Sequence, residues 1–138
     1  MTMKIPLVLS ATLAVSALVT GCKTVDVSSR ESGSMQAVYQ YGEFSMLLNG
    51  TAPAAAAAAE AAIKELDLYA VSKKLNTYDA ELVARTRKDQ KVTIAINEVN
   101  SRQTMIKIRV GATGDLAVSR QIYDAVERNM AAGDKPAH

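Results

Sequence analysis

Three consecutive runs between Glu81 and Val110 alternate between apolar and polar residues, and two short polar stretches separate them. Successive side chains of an extended strand point to opposite faces, so this period of two collects the apolar residues on one face. The residues of that face are Leu82, Ala84 and Thr86, then Val92, Ile94 and Ile96, then Thr104, Ile106, Ile108 and Val110. Short polar connections between such runs are typical of antiparallel neighbours. The pattern therefore predicts an antiparallel meander with one buried face.

A strand and a helix are predicted before the meander. The strand-like run covers 37–48, and its apolar parity changes at Gly42, which suggests a β-bulge. Thr51 is the predicted N-cap of an alanine-rich helix that extends to Leu66, with Pro53 in the first turn, where proline is favoured.

A short strand over 68–73 and a C-terminal helix complete the predicted elements. Asp115 is suited to cap that helix, and Asp124 and Arg128 are spaced to form an i,i+4 pair on its exposed side. The predicted order is β-α-β-β-β-β-α. A one-sided sheet and two amphipathic helices bury their apolar surfaces against each other, which predicts an α+β two-layer sandwich: a mainly antiparallel sheet of about five strands with two helices on one face.

Residues 1–21 have the three parts of a cleaved secretory signal. Lys4 supplies the positive start, Ile5 to Val19 the apolar region, and Thr20-Gly21 the small residues at the cut. The apolar run of about fifteen residues is shorter than the roughly 20 that span a bilayer. A cleaved signal is therefore favoured over a permanent transmembrane helix.

The sequence Leu18-Val19-Thr20-Gly21-Cys22 resembles a bacterial lipobox. The resemblance implies cleavage before Cys22 and lipid attachment to that cysteine, with palmitate among the acyl chains. Aspartate after the cysteine favours retention in the inner membrane of such lipoproteins, whereas this chain has Lys23. We therefore expect the outer membrane, on the side that faces the periplasm. The alternative for Cys22 is an ordinary buried cysteine, which packs as a small hydrophobe.

The rest of the chain divides into three parts. Residues 22–36 are rich in serine, glycine and charge, and predict a lipidated N-terminus with a flexible tether. Residues 37–131 form the predicted single α+β domain. Residues 132–138 predict a disordered tail.

The sequence contains few residues that could act in catalysis or bind a metal. Cys22 is the only cysteine, and the only histidine, His138, lies in the predicted tail. Nucleophilic catalysis that relies on a histidine base is therefore excluded, and no spacing suits a zinc site. Gly111 to Gly114 precedes a helix but lacks the lysine of a phosphate-binding loop, which favours a plain strand-to-helix turn. We expect no enzymatic activity, no cofactor and no bound metal.

Charge also limits the partners. Without Lys4, the 16 basic residues of the chain become 15, against 14 acidic ones. Such a balance argues against a nucleic-acid-binding domain, which is normally strongly basic.

One surface of the predicted sheet carries positive charge. The alternation places five cations on the face away from the helices, with Val83, Thr93 and Ala95 among them. The five are Arg85, Arg87, Lys91, Lys107 and Arg109. This face suits anionic lipid, lipopolysaccharide or an acidic protein. The alternative is a solvated sheet face, where lysine and arginine are common.

Several stretches of the chain are distinctive when they are taken together: the lipobox, Tyr39-Gln40-Tyr41-Gly42-Glu43-Phe44, Ala62-Ile63-Lys64-Glu65-Leu66, the meander, and Arg109-Val110-Gly111 with Gly114-Asp115 and Ser119-Arg120-Gln121-Ile122. In this combination the chain resembles an uncharacterised family of small bacterial envelope lipoproteins that carry a domain of unknown function. The resemblance implies a compact α+β domain and a lipid anchor, and it brings no catalytic residues and no ligand.

Three functions remain open from the sequence. We expect a non-enzymatic envelope lipoprotein that docks on a partner protein as an accessory or assembly subunit. The second is a binder of anionic lipid or glycan that uses the basic sheet face. The third is an enzyme whose site uses tyrosine, lysine or aspartate without histidine.

Overall fold

The computed structural model describes residues 23–27 and 35–133. Seven strands and two helices follow one another along these residues. They are β1 (Lys23–Val27), β2 (Met35–Gln40), β3 (Glu43–Asn49), α1 (Ala52–Glu65), β4 (Tyr69–Leu75), β5 (Asp79–Arg85), β6 (Lys91–Asn100), β7 (Gln103–Val110) and α2 (Leu116–Gly133).

All seven strands form one antiparallel sheet in the order β1-β2-β3-β7-β6-β5-β4. The predicted meander is β5-β6-β7, in which Ile94 pairs with Leu82 on one side and with Ile108 on the other. Strand β3 joins the other side of β7, so that Met46 pairs with Ile106. The apolar rows of four strands are thus aligned on one face, and these side chains are buried.

Both helices pack on that face. On α1 the buried residues are mostly alanines, because a helix with small side chains can lie close to the sheet; they include Ala55, Ala59 and Ala62. On α2, Ile122 and Val126 are buried, and the ring of Tyr123 packs on Phe44 with centroids 5.5 Å apart. One layer of helices on one antiparallel sheet confirms the predicted α+β two-layer sandwich.

The prediction of about five strands was too low, and 37–48 is not one bulged strand. Tyr41 and Gly42 have φ of 51° and 78° and form a two-residue turn that reverses the chain between β2 and β3. Positive φ at both central residues is characteristic of a type I′ turn, whose twist matches the right-handed twist of the strands. The parity change at Gly42 therefore marks a hairpin.

Strand β1 adds the seventh strand. Lys23–Val27 lies inside the segment predicted as a tether, and it pairs with β2 from Lys23 opposite Tyr39 to Val27 opposite Met35. Its backbone satisfies hydrogen-bonding groups on the outer edge of β2, which would otherwise be unpaired. The predicted signal (1–21), the lipidated Cys22, the middle of the predicted tether (28–34) and the end of the predicted tail (134–138) lie outside the described residues. Helix α2 includes the first two residues of that predicted tail.

The predicted N-cap of α2 is confirmed, whereas the predicted N-cap of α1 makes no side-chain hydrogen bond. Asp115 caps α2, because its Oδ1 accepts a hydrogen bond from the Val118 amide at 3.1 Å. Thr51 lies at the N-cap of α1, but its side chain makes no capping bond. The Ala52 amide instead donates to Oε2 of Glu98 on β6, at 3.2 Å. The cap of α1 is therefore a contact between the two layers.

The predicted i,i+4 pair between Asp124 and Arg128 on α2 was also wrong, because Arg128 has a different partner. Arg128 donates from Nη2 to Oε1 of Glu65 on α1 at 2.6 Å, and Asn129 donates to the other oxygen of the same carboxylate. These hydrogen bonds lower the pKa of Glu65. The two helices are thus joined across their exposed edge.

Candidate functional site

The face of the sheet opposite the helices, termed the open face here, is covered by neither helix of the described residues. Four of the five predicted cations lie on it, as the alternation required: Arg85 pairs across strands with Lys91, Thr93 with Arg109, and Ala95 with Lys107. The open face therefore has the predicted neighbourhood of cations and small neutral side chains in its centre.

Arg87 is the exception. It lies beyond the end of β5 at Arg85, in the turn to β6, where the strand alternation no longer determines its direction. Its guanidinium pairs with Asp67, which follows α1, and this contact raises the pKa of Arg87. The prediction that Arg87 belongs to the basic face was wrong.

Much of the positive charge of the open face is balanced locally. Arg85 Nη1 lies 2.9 Å from Oδ1 of Asp89, and Lys107 Nζ lies 3.7 Å from Oε1 of Glu43. Both pairs are well exposed to solvent, where an ion pair is worth about 0–1 kcal/mol but still offsets the field of the cation. The ammonium group of Lys91 has no partner within the described residues. The open face is less basic than the sequence indicates.

The side chain of Arg109 holds two loops together. Its Nη1 donates to the carbonyl oxygen of Tyr41 at 3.1 Å, and its Nη2 donates to that of Ala112 at 2.8 Å. The guanidinium thereby joins the β2–β3 turn to the loop between β7 and α2. Because two of its donors are already used, Arg109 is less available to an external anion than an unpaired arginine.

An apolar patch on the open face was not predicted. Leu47 and Met105 are directly opposite each other on β3 and β7, and both are only partly buried. Val38, which pairs with Ser45 beside Leu47, is 39% exposed. These three residues form the open-face patch. Sequence reasoning missed it because Leu47 and Met105 occupy positions that the alternation assigns to the polar side.

A second unpredicted feature lies at one end of the sheet. This turn end contains the β2–β3 turn, the α1–β4 connection, the β5–β6 turn and the β7–α2 loop, at 41–42, 66–68, 86–90 and 111–115. Tyr41 is 85% exposed there, with φ in the left-handed region, where a bulky side chain is uncommon. A tyrosine before Gly42 gave no turn signal, because Asn-Gly and Asp-Gly are the usual type I′ pairs.

The residue that follows the predicted anchor lies at this same end. Lys23 begins β1 and lies opposite Tyr39, two residues before Tyr41. Cys22 is bonded directly to Lys23, and consecutive Cα atoms are about 3.8 Å apart. One peptide bond therefore separates the predicted anchor residue from the start of β1.

Other candidate sites in the described residues have structural explanations. A shallow groove of about 310 Å³ between α1 and β4 is lined by Ile63 and Leu82, and the Glu60–Lys73 ion pair borders it. Burial raises the pKa of Tyr123, so its phenol stays protonated in the core. Within the described ranges, no group of histidine, cysteine, aspartate and glutamate is arranged to hold a metal. Neither helix of the part of the chain that the structure describes is both long and apolar enough to span a membrane.

Fold and surface together define a small α+β domain with one covered and one open sheet face. The chain belongs to the family of proteins of unknown function DUF3568, whose pattern it matches over residues 4–129. The match includes the predicted signal, Cys22 and all but the last residues of α2, and it supports the resemblance to an uncharacterised family. No curated protein matches the chain.

Proposed function

We propose that this chain is a bacterial envelope lipoprotein that acts without catalysis, as an accessory or assembly subunit. In this proposal, acyl chains on Cys22 hold it in the outer membrane, facing the periplasm, and the open face of its domain binds a protein partner.

Three features support the anchor. Cys22 ends a lipobox-like sequence and is the only cysteine of the chain. The family match begins at residue 4, so the matched range covers most of the signal-like segment and Cys22 as well as the domain. Each buried CH₂ of an acyl chain contributes about 0.8 kcal/mol to membrane binding, and several chains on one cysteine give stable anchoring.

The open-face patch is the observation that carries the docking proposal. Protein interfaces typically combine an apolar centre with a polar rim. Leu47, Met105 and Val38 supply such a centre, and Lys107 and Lys91 lie further along the same face. The partner that fits is a protein with an apolar contact surface and acidic residues at its border.

A binder of anionic lipid or glycan is less well supported on this face. Arg87 lies elsewhere, Arg85 and Lys107 are paired with carboxylates, and Arg109 holds two loops. An anion would meet few unpaired cations there.

Replacement of the predicted anchor residue tests the first half of the proposal. Cys22→Ser removes the acylated thiol, so the protein is expected to move from the membrane fraction to the soluble periplasmic fraction. Lys23→Asp keeps the thiol and serves as a matched control: it is expected to stay membrane-bound and to shift towards the inner membrane. A Cys22→Ser protein that remains in the outer membrane would contradict the anchor.

Site-specific photocrosslinking in intact cells tests the second half. A photoreactive phenylalanine analogue is placed at Leu47 or Met105 on the open face, and at Ala57 on the exposed side of α1 as a control. We expect one protein adduct of the same mass from both open-face positions and none from Ala57. Lipid adducts instead would favour the alternative, and absence of any adduct specific to the open face would refute docking there.

A further inference from the structure

Tyr41 occupies a position that the domain itself does not favour. A left-handed backbone costs a residue with a Cβ about 1–2 kcal/mol relative to glycine, and the ring gains little from packing because it is 85% exposed. Strained residues that the fold does not use are often functional. The position of Tyr41, at the tip of a hairpin beside the start of β1, suggests what that use is.

The charged residues of the turn end also indicate a functional surface. Three of its carboxylates are paired with cations, Glu43 with Lys107, Asp67 with Arg87 and Asp89 with Arg85, whereas Asp115 accepts a hydrogen bond from the neutral Val118 amide. Lys88 and Lys91 are exposed, and their ammonium groups have no partner within the described residues. The turn end therefore presents an aromatic ring and two unpaired positive charges to its surroundings.

We propose that the turn end rests on the surface of the anchoring membrane, with Tyr41 among the lipid headgroups and Lys88 and Lys91 facing anionic phosphates. This inference rests on the proposed anchor at Cys22. Because Cys22 is bonded to the first residue of β1, the lipid enters the bilayer at the same end of the sheet as Tyr41. Tyrosine is enriched at membrane interfaces, where its ring is apolar and its hydroxyl meets water.

Among the described residues, the opposite end of the sheet lacks this combination. It carries Tyr78, which is 67% exposed, but its neighbours include the carboxylates of Asp79 and Glu98, with Arg102 in the next turn. These two carboxylates accept hydrogen bonds from the neutral amides of Asn76 and Ala52, which leave their charge in place. A lysine close to an anionic membrane gains about fivefold in binding, whereas a carboxylate there is repelled. The difference in charge orients the domain with the turn end towards the lipid.

The chain contains no tryptophan, so one introduced tryptophan reports on one place. We would place it by Tyr41→Trp at the turn end and by Tyr78→Trp at the opposite end as the matched control. The lipidated proteins are reconstituted in vesicles of phosphatidylethanolamine and phosphatidylglycerol. Emission wavelength and quenching by headgroup spin-labelled lipid are then measured.

We expect the tryptophan from Tyr41→Trp to shift to shorter wavelength and to be quenched, and the tryptophan from Tyr78→Trp to remain water-exposed. Adding Lys88→Gln with Lys91→Gln is expected to reduce the equilibrium in favour of contact by roughly 25-fold, from about fivefold per lysine. The control pair Lys74→Gln with Arg102→Gln, on exposed cations away from the turn end, is expected to leave that equilibrium unchanged.

The outcomes separate this inference from the anchor. Vesicles that fail to carry the lipidated protein during flotation would refute the anchor and this orientation with it. Protein that floats with the vesicles but gives equal, water-like emission from both tryptophans would refute the orientation alone. Equal effects of the two charge-neutralising pairs would show that Lys88 and Lys91 do not face the lipid.

Discussion

Gly114→Ala is expected to be among the most damaging single-methyl changes in this domain. The loop between β7 and α2 lies directly on the β2–β3 turn, backbone against backbone. A Cβ built on Gly114 would lie 2.6 Å from the carbonyl carbon of Gly42, and one built on Gly42 would lie 2.8 Å from the carbonyl carbon of Thr113. Real Cβ atoms essentially never come closer than 3.0 Å to another heavy atom, so the two loops would have to separate.

The cost has two parts. Gly114 has a φ of 85°, and alanine in that region costs about 1 kcal/mol. Forcing apart well-packed groups adds typically 1–3 kcal/mol. The sum is about 2–4 kcal/mol, a large share of the roughly 5–15 kcal/mol that stabilises a domain of this kind.

Gly111→Ala separates these two parts. Gly111 also has a positive φ, of 70°, but its added Cβ would meet only the side-chain amide of Gln90, at an ordinary 3.7 Å. It is therefore expected to cost only about 1 kcal/mol, the conformational part. Urea unfolding followed by circular dichroism measures the free energy of unfolding of each variant. The melting temperature should fall by roughly 4 °C for each kcal/mol of stability that is lost.

The comparison of Gly114→Ala with Gly111→Ala shows whether the close packing of the two loops stabilises the domain. A loss for Gly114→Ala that equals the loss for Gly111→Ala would refute the close packing of the two loops as a source of stability. A larger loss for Gly114→Ala, with an unchanged dependence of the free energy on urea, would support it.

Three further changes test separate contacts. Tyr41→Asn should raise the free energy of unfolding by about 0.5–1 kcal/mol in urea titration, because asparagine tolerates the left-handed backbone better; a loss of stability would show that the ring supports the fold. Glu98→Ala should lower it by about 1 kcal/mol through loss of the long-range helix cap, whereas Thr51→Ala should change it little; equal effects would contradict the assignment of the cap. The pKa of Glu65, followed by carboxyl NMR, should lie below 4.5 and rise towards that value in Arg128→Ala; its stabilising effect should be complete above the unfolded pKa and be lost as the pH falls through the lowered one.

The meander and both helices could be predicted because their signals are local. Period two from Leu82 to Val110 and helical spacing around Ile122 each depend on neighbours within one element. The features that were missed depend on distant partners or unusual turn residues. Strand β1 pairs with the edge of β2, a contact between segments that no local pattern announces, and Tyr41 occupies a turn position where sequence preference favours asparagine.

Polar contacts between residues that are distant in the chain were also missed. Threonine at an N-cap and opposite charges four residues apart are sound local indications, yet Thr51 does not cap and Arg128 reaches across to Glu65. Of the predicted basic face, four cations were placed correctly by alternation alone. Arg87 was not, because it lies two residues beyond the end of β5.

The strand order also limits when the N-terminal strands can join the sheet, which matters for the export that we propose. Strands β3 and β7 are central neighbours, with Glu43 opposite Arg109, although most of the domain separates them along the chain. A polypeptide that crosses a membrane from its N-terminus delivers β1, β2 and β3 first, but these strands can join the rest of the sheet only through β7, which arrives near the end. Pairing between distant segments is slow because the chain must close a long loop first. In the proposed export, the three strands nearest Cys22 would therefore stay unattached to the rest of the sheet until β7 had emerged, and Cys22 would be accessible for the proposed lipidation before the domain closes.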